Sequence, residues 1–341
     1  MTRQAPSRSP SITMKDVAKR AGVSQATVSY VINNSAGQNI PHETRERVLS
    51  AVRQLGYRPN SAARNMRTQR SNFVGFITDE IATTPFAGAI IKGAQDAARS
   101  HGCILLLVNT EGAPDIENAA IESMLEHRVA GIAYATMYHR SIIPPANLAE
   151  VPAVLLDCFS EDRSIASVVP DEVGGGRTAT EILLNRGHRR IGFINDIDPI
   201  PATFGRLRGY QEALAAHGVA FDPKLVTVAR SDSHGGYDGT LALLQQPDRP
   251  TALFCFNDSV AMGAYDALRK HELSIPDDMA VIGFDNQEII AAALHPGLST
   301  MQLPHYQMGQ WAINYLLDTK VAGGPAVHKV LECPYIERES A

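Results

Sequence analysis

From Asn72 onward the chain alternates short apolar runs with longer amphipathic stretches. The runs are FVGFI (73–77), CILLLV (103–108), GIAYA (131–135), AVLLD (153–157), Val168-Val169, IGFIN (191–195), LVTVA (225–229), ALFCF (252–256), AVIGF (280–284) and a terminal region from Val327 to Ile336. Between them, 86–101, 116–127, 171–186, 204–217, 237–246, 258–271 and 304–319 carry apolar residues at helical spacing. A strand that is apolar throughout has both faces buried, so helices must cover both sides of its sheet. That requirement predicts parallel sheets in an α/β architecture. About ten strands in residues 72–341 fit two doubly wound halves better than one.

The first seventy residues are of another kind. MKDVAKRAGVSQATVSYVIN (14–33) reads as two short helices around a tight turn at Ala21-Gly22-Val23. Thr13 with Asp16 forms a capping-box-like start, Ser24 is a suitable N-cap for the second helix, and Gly22 permits the positive φ of the corner. Val17, Ala18, Ala21, Val28, Val31 and Ile32 form the inner faces, leaving Gln25, Ala26, Thr27, Ser29, Tyr30 and Asn33 outside. Short hydrogen-bonding side chains with few charges suit a helix laid in a DNA major groove. A third helix is predicted from His42 to Leu55, opened by Pro41 and closed by Gly56. Residues 61–70, SAARNMRTQR, read as a single short basic helix or a basic linker. Charge follows the same division. Residues 1–70 carry 12 Lys/Arg against 3 Asp/Glu, a net +9, while 71–341 carry 19 against 33, a net −14. A basic module on an acidic body is the composition of a polyanion-binding head on a globular core.

Several function classes are disfavoured. No run approaches the ~18 apolar residues of a membrane span. The N-terminal MTRQAPSRSPS has no apolar signal region and is expected to be a disordered arm. Cys103, Cys158, Cys255 and Cys333 are far apart without C-x-x-C spacing, so buried free thiols are expected rather than a zinc or redox site. Phosphate-loop, dinucleotide and nucleophile-elbow motifs are absent, and no cofactor is expected. Gly174-Gly175-Gly176 is expected to serve close packing. Polar residues do collect after the strands: Thr78-Asp79, Asp157, Asn195-Asp196, Asn257-Asp258 and Asp285-Asn286. In open α/β sheets that is where ligands bind, and such groups suit a hydroxyl-rich ligand. Taken singly, each is equally suited to capping the helix that follows.

The segments ITMKDVAKRAGVSQATVSYVIN, HETRERVLSAVRQLGYRPNSAAR, NRGHRRIGFI, RLRGYQEAL, ALFCFNDSVAMGAYDAL and IPDDMAVIGFDN together resemble the LacI/GalR family of bacterial transcription regulators, over roughly Ile12 to Ser340. The resemblance implies a disordered arm (1–11), a helix-turn-helix head (12–58), a hinge helix (59–71) and an effector-binding, dimerising core (72–341). The core is expected to resemble periplasmic binding proteins, with one subdomain from about 72–167 and 299–326 and another from 168–298 and 327–341. Gln25, Ala26 and Tyr30 match base-reading positions, and Ser24, Thr27, Ser29 and Asn33 match phosphate-holding ones. In the hinge, Asn60, Ala63 and Arg64 match DNA-contacting positions, and Met66 matches the side chain wedged between base pairs. Phe86, Asp157, Arg206, Asn257 and Asp285 match effector-contacting positions. The family implies a homodimer on a pseudo-palindromic double-stranded operator, without a membrane role, in the cytoplasm and on the nucleoid when DNA-bound. A dimer is favoured over a tetramer because no heptad tail follows the core. The function so implied is a repressor switched by a small molecule, a sugar or related metabolite. The alternatives are a sugar-binding protein without a DNA role and a DNA binder without an effector.

Overall fold

The computed structural model describes residues 12–32, 40–57, 71–84, 88–318 and 324–341. The chain divides into two compact units, Met1–Arg70 and Ser71–Ala341. The arm at 1–11 and the hinge segment at 59–71, except its last residue, lie outside the described residues.

In the first unit, helices α1 (Met14–Ala21), α2 (Gln25–Ile32) and α3 (His42–Leu55) pack around Val17, Ala18, Val28, Val31, Val48, Ala51 and Tyr57. The capping box forms as expected. Thr13 Oγ1 accepts from the Asp16 amide at 3.4 Å, and Asp16 Oδ2 accepts from the Thr13 amide at 2.9 Å. Gly22 ends α1 at φ 67°, a conformation costly for any residue with a Cβ. Ser24 Oγ accepts from the Thr27 amide at 3.1 Å and caps α2. Arg20 donates through Nε and Nη2 to Gln54 Oε1, at 3.2 and 2.9 Å, tying α1 to α3.

The second unit contains two six-stranded sheets among the described residues. The first comprises β1 (Phe73–Thr78), β2 (Ile104–Asn109), β3 (Ile132–Ile142), β4 (Ala153–Ser160), β5 (Ala166–Pro170) and β11 (His328–Leu331). Its spatial order is β11-β5-β4-β3-β1-β2, with every pairing parallel. The second comprises β6 (Ile191–Asp196), β7 (Val226–Ala229), β8 (Ala252–Cys255), β9 (Ala280–Asp285), β10 (Ser299–Gln302) and β12 (Tyr335–Ile336), in the order β12-β10-β9-β8-β6-β7. It is parallel apart from β12, which runs antiparallel at one edge. The doubly wound expectation therefore holds for both halves.

The boundaries between the halves differ from the expected ones. Strand β5 continues the first sheet to Pro170, so the crossing falls at Asp171 rather than after residue 167. Strand β10 pairs with β9 and belongs to the second sheet, although 299–326 was expected in the first subdomain. The terminal region 327–336 is two strands: β11 joins the first sheet, and β12 the second after a break at Cys333-Pro334. Apolar character specifies that a short strand is buried and leaves its neighbours open, which is why the pattern did not assign these three. The crossings are tied to one another. The Asp171 amide donates to the Leu331 carbonyl at 2.8 Å, and the Gln302 amide to the Pro334 carbonyl at 2.8 Å.

The helices of this unit are α4 (Gly88–Ser100), α5 (Pro114–Glu126), α6 (Glu172–Asn185), α7 (Pro201–Ala216), α8 (Ser233–Leu244), α9 (Asp258–Lys270), α10 (Glu288–Ala291) and α11 (His305–Leu317). The glycine run after Asp171 lies in α6, where it lets α7 approach closely. A Cβ on Gly176 would overlap backbone atoms of Arg206, and one on Gly209 would overlap the Val173 carbonyl and the Arg177 amide. Cys158, Cys255 and Cys333 are buried free thiols, and Cys103 is half-buried.

Candidate functional site

On α2, burial of Val28 and Val31 turns Gln25, Ala26 and Tyr30 outward, with Tyr30 37% exposed. Ser24 and Thr27 face each other, with their hydroxyls 2.9 Å apart, and Ser29 is half-buried. The first turn of α2 has no acidic residue. An anion approaching its amino end therefore meets the helix dipole without a competing carboxylate. Asn33, Asn60, Ala63, Arg64 and Met66 lie outside the described residues.

In the second unit, three of the expected effector-contacting residues converge. Arg206 projects from the second turn of α7 and is 3% exposed. Its Nε donates to Glu172 Oε2 at 2.8 Å and its Nη1 to the Phe256 carbonyl at 2.5 Å, while Nη2 lies 3.8 Å from Asp285 Oδ1. The guanidinium carbon is 3.7 Å from the centroid of the Phe284 ring and 4.5 Å from that of Phe256. Apolar surface on its faces and acceptors at its edge fix the group in one orientation.

Asp157 and Asp285 hold unusual backbone conformations. Asp157, within β4, has φ 58°, and Asp285, ending β9, has φ 104°, followed by Asn286 at φ 54°. Residues with a Cβ pay about 1–3 kcal/mol to sit there, and such strain concentrates at functional sites. The Asp285 turn is held from below by Asp258, which accepts from the Thr300 hydroxyl and the Gln287 amide, both at 2.6 Å. At Asp157 the strain accompanies a register shift between β3 and β4 after Ala135. Asp157 is 4% exposed, and its Oδ1 has no hydrogen-bond partner. A buried carboxylate oxygen left unpaired costs about 1–3 kcal/mol or more. Asp196, at the end of β6, carries a second such oxygen.

Burial dominates the electrostatics. It pushes the Asp157 carboxyl well above the ordinary range, with the nearby Glu172 charge adding to it. Burial likewise raises Asp285 to about 7, against the opposing pull of Arg206. Burial also works against the charge on Glu172, yet Arg206 and His139 hold that carboxyl below its ordinary value. Of Asp157, Glu172 and Asp285, Glu172 is the one that Arg206 holds at hydrogen-bond distance.

Asn257 is differently engaged. Its Oδ1 accepts from the Val260 amide at 2.8 Å to cap α9, and its Nδ2 donates to the Ser231 carbonyl at 3.0 Å. Both ends of the amide thus serve structure, beside the Phe256 carbonyl that receives Arg206. Phe86 lies outside the described residues. Glu172 was not anticipated. In sequence it reads as an ordinary acidic residue in a helical first turn, and only the crossing at Asp171 brings it to Arg206. The extension of β3 to Ile142 was also missed, because Thr136 to Ser141 is polar where the core run is apolar. That extension brings His139 Nδ1 to 3.8 Å from Glu172 Oε1 and Arg140 Nη2 to 3.0 Å from Asp79 Oδ2. Among the described residues no group of side chains is arranged to hold a metal ion, and no helix is long and apolar enough to cross a membrane.

Comparison with known proteins agrees with this geometry. A profile described as "Bacterial regulatory proteins, lacI family" matches residues 13–60, and one described as "Periplasmic binding protein-like domain" matches 180–341. The HTH-type transcriptional regulator RegA of Clostridium saccharobutylicum is 33% identical over 333 residues, covering 96% of this chain and 98% of its own. The ribose operon repressor of Escherichia coli strain K12 is 33% identical over 311 residues, covering 89% of this chain and 92% of its own. The crystal structure of the Lac repressor dimer bound to operator and the anti-inducer ONPF matches with a TM-score of 0.77 at 25% identity, over 97% of this chain and 99% of that one. With similarity of this extent over nearly its whole length, the chain belongs to the lacI family of bacterial regulatory proteins.

Proposed function

We propose that the protein is a sequence-specific DNA-binding repressor, not an enzyme, whose operator affinity is set by a polyhydroxylated small molecule bound between its two sheets. The observation that carries this reading is the pair of buried, unpartnered carboxylate oxygens, on Asp157 within β4 and on Asp196 at the carboxyl end of β6. Acceptors buried without donors imply that donors arrive with a ligand, and sugar hydroxyls are donors of the right kind. The ribose operon repressor among the relatives supports a sugar-class effector. On the DNA side, Gln25, Ala26 and Tyr30 form the base-reading edge, with Ser24, Thr27 and Ser29 on phosphates. Arg206 and Asp285 orient the effector, and Asn257 sets the wall beside them.

The coupling is linkage. The chain passes between the sheets at Asp171, Leu303 and Cys333, and a ligand held by both sheets favours one angle between them. A homodimer in the cytoplasm converts that angle into the spacing of its two heads, through a hinge at 59–71 whose Met66 wedges into the central minor groove. Selection of bound fragments from genomic DNA by the full-length protein tests the DNA half. A pseudo-palindromic site is expected, and Gln25→Ala with Tyr30→Ala is expected to lose preference for it. Recovery of fragments with no shared sequence would contradict the reading.

A further inference from the structure

The cleft holds more carboxyl groups than cations. Asp157, Glu172 and Asp285 lie buried around the Arg206 guanidinium. Most of that guanidinium is committed: Nε donates to Glu172, Nη1 to the Phe256 carbonyl, the Phe284 and Phe256 rings lie 3.7 and 4.5 Å from its carbon, and Nη2 faces Asp285 at 3.8 Å. Arg140, which approaches on β3, donates to Asp79 at 3.0 Å. Besides His139 Nδ1, which faces Glu172 Oε1 at 3.8 Å, the buried polar atoms left without a hydrogen-bond partner here include two carboxyl oxygens, Asp157 Oδ1 and Asp196 Oδ1, each on a residue with less than a twentieth of its surface exposed. Hydroxyl and ammonium groups donate to such oxygens. A phosphate dianion or a carboxylate brings further acceptors and further negative charge into a low-dielectric space.

We propose that Glu172 sets the charge selectivity of the cleft. By pairing with Arg206 it removes the cation that an anionic ligand would need, so the cleft takes uncharged or amine-bearing polyols and turns away phosphorylated or carboxylated ones. This rests on the effector reading above and narrows it. The role is specific to the side chain: an amide at 172 would keep a hydrogen bond to Nε and leave the positive charge of Arg206 unneutralised by that position.

The test is thermal stabilisation of the full-length protein by a panel of pentoses and hexoses, with their amino sugars, phosphate esters and uronic acids. The expected result is stabilisation by one or more neutral or amino sugars and none by the matching phosphate or uronate. The Glu172→Gln variant should shift the ratio of affinities toward the anionic member of the pair by about tenfold. Should Glu172→Gln fail to fold, the wild-type ranking still decides. A wild-type protein that prefers a phosphate or uronate to its neutral parent overturns the selectivity and leaves the effector reading standing. An unchanged ratio in a folded Glu172→Gln overturns the assignment to Glu172. Stabilisation by no member of the panel overturns the polyol reading, and the selectivity with it.

Discussion

Arg206 is buried among acidic groups that need its charge and beside the Phe284 and Phe256 rings. Removing it alone leaves Asp285 buried without its cation and Glu172 with only the His139 imidazole at 3.8 Å, a change that costs about 3–5 kcal/mol for a buried pair. Replacing both partners of the pair with uncharged groups of similar volume avoids that penalty. Arg206→Ala should therefore lower the melting temperature sharply. Glu172→Gln with Arg206→Met should recover most of the loss while remaining unresponsive to the effector. A double variant as unstable as the single one would show that the pair is not the source of the loss. The same cluster predicts a pH dependence. Asp285, raised to about 7 by burial, binds its proton more tightly folded than unfolded. Its contribution is fullest below the ordinary carboxylate range near 4 and declines as pH rises through 7. Glu172, held below its ordinary value, acts only at more acid pH. Between pH 5 and 8 the apo protein should thus lose stability, and Asp285→Asn should lose less. Parallel melting curves for the two proteins over that range would contradict the assignment. At this scale the sequence was legible in part. Asp157, Arg206 and Asp285 stand out by position after strands or in RLRGY, but no local pattern pairs Glu172 with an arginine 34 positions away.

Helices α6 and α7 set the site's dimensions, since Glu172 stands at the start of one and Arg206 near the start of the other. Their separation is fixed by Gly176 and Gly209, each facing backbone of the opposite helix. A methyl at 209 would have to displace the Val173 carbonyl rather than a side chain. Overpacking of that kind costs about 1–3 kcal/mol. Gly209→Ala should lower the melting temperature by several degrees and weaken effector binding together, because α6 and α7 move apart. Loss of stability with unchanged effector affinity would mean the helices hold the ion pair independently of their packing. Element types were read well from periodicity, and α3 falls on its predicted bounds, His42–Leu55. The capping signals at Thr13 and Ser24 correspond to observed hydrogen bonds. Sheet membership was not readable: β5, β10 and β11 are each four or five residues long, and their partners are chosen by tertiary packing.

For the molecule as a whole, the charge split at residue 70 and the alternation after it were enough to separate a basic helical head from an acidic α/β body. The central claim is that the body controls the head. Its most direct test is a titration of the full-length protein against a labelled operator fragment recovered from genomic selection, with and without the polyol that stabilises the core. Operator affinity should change by about 5–150-fold in the presence of that polyol, the span of an ordinary coupling free energy, and should not change for the Glu172→Gln, Arg206→Met variant. Identical operator affinity for the wild-type protein with and without a bound polyol would contradict the central claim.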